Sequence, residues 1–306
     1  MQTAAGLRRE VYGKGDPSRA DLEMLIADGA ALGADPDFSE LLAEVATDVL
    51  VRQGESDGFV SDEAASWLID RVGKAEGLSV AAKFAMLRAI VGHAVSIPAS
   101  LTGFGLAQIK TAILKGAPDH APGVVDSRDV EALRALAFAP TAACPVHVDR
   151  STAEMLFDIA HATAGADNDP AFADFFAKAV GNYLMGACFL EPPDAAKSRA
   201  VEKEFDRVTS RSYFLSSLAS RPNLSQLGDA LESEGGEEED ETARENDDAD
   251  RRLAAAAPVD ADEAAWVIAH LTKGSLSPAE RRLLAFLREE APSAPPALAA
   301  LFDQAA

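Results

Sequence analysis

The sequence predicts an all-α protein, and three observations carry that prediction. Apolar residues recur at helical spacing in two related stretches: Phe38, Leu41, Leu42, Val45, Ala46, Val49 and Leu50, and, with Pro36 set on Pro170, Phe172, Phe175, Phe176, Ala179, Val180, Tyr183 and Leu184. Intervals of three and four residues put each set on one face of a helix. Helix starts carry cap residues at the expected spacing. Strand signals are nearly absent, with no Asn-Gly hairpin, few β-branched clusters and no sustained alternation.

Along the chain, the first helical segment covers Leu7 to Tyr12 and has a counterpart in Leu133 to Phe138. Glu23, Met24 and Leu25 recur as Glu154, Met155 and Leu156. Asp35 and Asp169 each precede a proline, which makes Asp the N-cap and Pro the first helical residue, where its missing N–H costs nothing. A turn from Gln53 to Gly58 leads to Asp62, Glu63 and Trp67, echoed by Asp262, Glu263 and Trp266. Leu78 and Ser79 open a helical pattern that ends at Pro98; Leu276 and Ser277 open one that ends at Pro295 and Pro296. Ser277 with Glu280, and Ser151 with Glu154, have capping-box spacing. Landmarks repeated in one order predict an internal duplication, with Trp67 and Trp266 as equivalent core residues. The first lobe is expected over 1–116, a linker over 117–125, the start of the second lobe over 126–190, an insert over 191–257 and the lobe's completion over 258–306.

The insert reads in two parts. From Pro192 to Leu218 a helical arm carries Val201, Phe205 and Val208 on one side and basic residues around the rest. From about Arg221 to Ala249 the chain has too few apolar residues to offset its conformational entropy, so a disordered acidic loop is expected. Arg211, Tyr213, Phe214 and Leu218 are the predicted partner contacts, anchors of a helix laid in a groove. The competing reading is an extra helix packed on its own lobe with the acid run as a spacer. Beyond the insert, Trp266, Ile268, Leu271, Leu283, Leu284, Phe286 and Leu287 are too few for a core of their own. That stretch is expected to dock on the helix of Phe172 to Leu184.

Charge and composition narrow the function. Fifty acidic residues against 28 basic ones leave a net charge of −22. The tract from Glu232 to Asp250 holds eleven acids and Arg244, which accounts for −10 and leaves −12 on the remainder. Such a surface disfavours nucleic acid and anionic membranes and suits a protein whose partner is basic, or one with no particular partner. No run is long and apolar enough to span a bilayer and the N-terminus lacks a signal-peptide core, so a cytoplasmic location is expected. Cys144 and Cys188 stand apart and outside any CxxC pair, which argues against disulfides or structural zinc.

An Asp-capped, Phe-rich helix, a following Trp helix, and a Leu-Ser or Leu-Ser-Pro-x-Glu start to the next one resemble the TerB-like modules of bacterial tellurite-resistance and stress proteins. The resemblance covers 7–115 and 130–306 without the insert. It implies an all-helical fold, metal binding through acidic side chains and membrane-linked stress complexes. Its candidate acids are Glu23, Asp35 and Glu40 with Glu154, Asp169 and Asp174. The copies differ in that Asp167 and Asn168 stand where the first has Gly33 and Ala34.

Among chemical constellations, Asp167, Asn168 and Asp169 offer oxygen ligands to calcium or magnesium, but the following Pro-Ala-Phe-Ala departs from a calcium loop and reads as a turn plus N-cap. Asp167, Asp169 and Asp35 are therefore the metal candidates, and no other cofactor is expected. His93, His120, His147, His161 and His270 show no zinc-helix spacing and are expected at the surface or its boundary. Cys144 and His147 lie close without a third partner. Gly103 and Gly105 lack the rest of a phosphate loop. The expected function is a non-enzymatic binding or scaffold protein; the alternatives are a divalent-metal module and an enzyme with a site assembled from distant residues.

Overall fold

A computed structural model describes residues 3–32, 35–54, 56–75, 77–141, 147–185, 259–272, 275–291 and 294–305. Among them are twelve α-helices and no strand; three isolated bridges are the only extended pairing. The predicted contacts Arg211, Tyr213, Phe214 and Leu218, the insert and both cysteines lie outside the described residues.

The first half contains α1 (Ala4–Tyr12), α2 (Arg19–Leu32), α3 (Pro36–Thr47), α4 (Asp62–Lys74), α5 (Val80–His93) and α6 (Ala99–Lys115). The second contains α7 (Ser127–Ala137), α8 (Arg150–Ala162), α9 (Ala171–Met185), α10 (Ala261–His270), α11 (Pro278–Glu290) and α12 (Pro296–Ala299). Side chains at the helix starts explain the boundaries. Ser61, Ser79 and Ser277 each accept from the backbone N–H three residues on, and Asp126, Asp260 and Ser277 complete capping boxes with Asp129, Glu263 and Glu280. One cap differs from expectation. Asp149, not Ser151, caps α8 by accepting from Thr152 N at 2.7 Å, which sets Ser151 and Glu154 two residues too deep for a capping box. Glu154 pairs with Arg150 instead.

The apolar stripes meet in one contiguous core. Phe38, Leu41, Leu42, Val45 and Ala46 of α3 are fully buried and pack on α5, while Phe172, Phe175, Phe176, Ala179 and Val180 of α9 pack on α11. The C-terminal helices thus lie on the Phe-rich helix. Gly181 of α9 admits the Phe286 ring, and Arg282 donates to Asp174 at 2.9 Å. Both halves also place an arginine over a tryptophan, Arg19 on Trp67 and Arg150 on Trp266, each at 5.8 Å. Trp266 is buried among Phe157, Tyr183 and His270; Trp67 is half-buried against the core. Helix α7 joins the halves because it packs on α5, α6 and α9. A Cβ at Gly105 of α6 would lie 2.7 Å from Leu136 of α7, so glycine permits that close approach.

Candidate functional site

The stretch 117–125, expected as a linker, is folded against α5, α6, α7 and the residues between α8 and α9. Gly116 ends α6 with φ 76° and ψ 172°, a conformation open essentially to glycine alone. The chain then closes a small turn in which Ala117 and His120 exchange backbone hydrogen bonds of 2.9 and 3.0 Å, and Gly123 N returns to Ile113 O at 2.6 Å. Asp119 accepts from Val80 N and Ala81 N, capping α5 from outside it. Asn168 accepts from Val125 N at 2.9 Å and donates to Thr163 O and Oγ1, and Asp169 N donates to Val125 O at 2.8 Å.

This turn drives His120 inward. Its side chain is 2% exposed, against the surface or boundary position expected from its scattered place in the sequence. The reason is tertiary: the turn lays the ring against the first turn of α7. His120 Nε2 and Asp129 Oδ2 share a 2.8 Å hydrogen bond, and the same oxygen accepts from Asp126 N at 2.8 Å. Asp126, partly exposed, accepts from Arg128 N and Asp129 N and from the Arg128 guanidinium. His120 Nδ1 and Asp129 Oδ1 are buried without a hydrogen-bond partner. Burial pushes the Asp129 carboxyl above its ordinary range, while the hydrogen bonds from Asp126 and His120 act the other way. Among the described residues, His120, Asp126 and Asp129 form the one group offering three metal-ligand atoms, all within 4.8 Å of one another.

The predicted metal candidates fall elsewhere. Asp35 accepts from Asp37 N and caps α3; Asp169 accepts from Ala171 N at the start of α9; Asp167 is exposed. Nor do the wider acids converge: Glu23 pairs with Arg71, Glu154 with Arg150, and Asp174 with Lys178 and Arg282. Sequence reasoning passed over the His120 cluster because His120 stands nine residues from Asp129, a spacing with no helical meaning across a turn.

A second feature is a groove of about 650 Å³ between α3 and α5. Ser39 and Ala43 on α3, and Ala81, Ala85 and Ala89 on α5, recur every fourth residue along its walls, with Pro36 and Phe84 completing the apolar lining. Rows at that spacing are the ridges of a helix surface, and alanine rows make low ridges that admit a neighbouring helix closely. Glu40, Arg88 and Arg128 supply its charges. Arg88 is paired with Glu131 and Arg128 with Asp126, whereas Glu40 makes no ion pair among the described residues.

No family model, curated protein or solved structure matches this chain. Its function has to be read from these two features.

Proposed function

We propose that the protein is a non-enzymatic binding or scaffold protein whose α3–α5 groove receives a basic amphipathic helix of a partner protein. The observation that carries this reading is the groove itself, two rows of small residues beside one carboxylate, Glu40, that makes no ion pair among the described residues. Its arginines are already engaged, and a chain of net charge −22 attracts basic partners over long range. A helix with an apolar stripe and a flanking Lys or Arg satisfies both features. The resemblance to TerB-like modules, with the two halves taken as copies of one unit, supports a role in assembly. In that reading the lobes act as a platform in the cytoplasm.

Three peptides with one apolar helical stripe and flanks of Lys, Gln or Glu test the reading by fluorescence anisotropy against the full chain. The Lys-flanked peptide should bind best and weaken with added salt. Ala85→Trp, which fills the groove, should abolish binding, and Glu40→Lys should weaken it up to about fivefold, the scale of an exposed ion pair. Undiminished binding to the Ala85→Trp variant, or no binding by any peptide, would overturn the proposal.

A further inference from the structure

We propose that His120, Asp126 and Asp129 form a binding site for a single borderline divalent cation of the zinc class. Three protein groups each place a ligand atom within 4.8 Å of the others, so small side-chain adjustments bring them around one ion. Two of the groups, His120 and Asp129, are almost completely buried, and Oδ1 of Asp129 is left without a hydrogen-bond partner. Orphaned polar atoms in a closed interior call for a bound ion or an ordered water, because leaving them bare wastes their desolvation. The groups themselves, two carboxylates and one imidazole, are donors suited to a cation.

The donor set selects the ion. One nitrogen and two carboxylate oxygens match zinc and its neighbours, whereas calcium and magnesium require an oxygen shell that an imidazole does not complete. Positive charge nearby sharpens this choice. The N-terminus of α7 and the Arg128 guanidinium both oppose a cation, so an ion that gains only from carboxylates is disfavoured. Arg128 therefore competes with the metal for Asp126. Asp126 is the only partly exposed ligand and provides the way in. Three protein ligands leave a fourth position for water or a partner's side chain.

The test uses the full chain, titrated with Zn²⁺ by calorimetry and with Co²⁺ by visible absorption. One ion per chain should bind, with ligand-field bands in the cobalt form, and magnesium or calcium in excess should not displace it. Asp126→Asn retains a capping side chain and should lower affinity at least tenfold; Asp129→Asn and His120→Gln should do the same. Arg128→Ala should tighten binding by freeing Asp126, an outcome that a merely structural role for these residues does not produce. Circular dichroism establishes that each variant is folded, and Asp126→Asn decides the matter if a buried substitution unfolds the protein. Absence of one-to-one uptake by the unaltered protein, or uptake unchanged in Asp126→Asn, overturns the site.

Discussion

Glu280 shows how much one buried side chain can hold together. Its side chain is completely enclosed, yet it accepts from the backbone of Ser277 and Thr272 and lies 3.4 Å from His161 Nε2. Burial alone would raise its carboxyl; the hydrogen bonds from Ser277 and Thr272 outweigh burial and hold it below the ordinary 4.5. A depressed folded value stabilises the protein at pH above 4.5, and that contribution is lost as pH falls through the folded value. Glu280→Gln should therefore lower unfolding free energy by about 1–3 kcal/mol at neutral pH, the scale of hydrogen bonds to a charged group. The deficit should vanish in acid; urea melts of both proteins across pH check it, and a pH-independent difference contradicts it. The Ser277 and Glu280 pair is legible in sequence because capping-box partners are three residues apart. Thr272 and His161 are not, since a loop and α8 supply them.

At the scale of elements, the turn after α6 determines where His120 goes. Gly116 combines a positive φ with crowding: an added Cβ would lie 3.0 Å from Pro122 Cδ and 3.2 Å from His120 O. Gly116→Ala should cost about 1–3 kcal/mol. Gly123 has a similar φ of 77° with open space around it, so Gly123→Ala should cost less, about 1 kcal/mol. Chemical denaturation of the two variants ranks them; a larger loss at Gly123 would show that crowding is not the decisive factor. Only the folded turn distinguishes the crowded glycine from the open one.

For the whole molecule, the contiguous core implies that the halves unfold together. Leu136 on α7 is 2% exposed and fits over Gly105 of α6, in the helix that joins the halves. Leu136→Ala should cost about 2–5 kcal/mol. Calorimetry should show one transition shifted down intact, and splitting into two would mean that the halves are independent. The acidic surface adds a second expectation at this scale: moderate salt should stabilise a chain of net charge −22 by screening its self-repulsion.

Local chemistry made the helices legible: periodic apolar residues, Asp and Ser caps and prolines act over three or four residues, so the all-α class, the Phe-rich helices and the Asp35 and Ser277 caps could be read directly. The Asp149 cap escaped because Ser151 and Glu154, two residues further on, have capping-box spacing and pointed to a later start. The His120 cluster and the α3–α5 groove escaped for a different reason. His120 reaches Asp129 only through a glycine-hinged turn, and the groove's walls, Ser39 and Ala43 against Ala81, Ala85 and Ala89, belong to helices separated by α4. Side chains acquire such neighbours through packing, which sequence spacing does not encode.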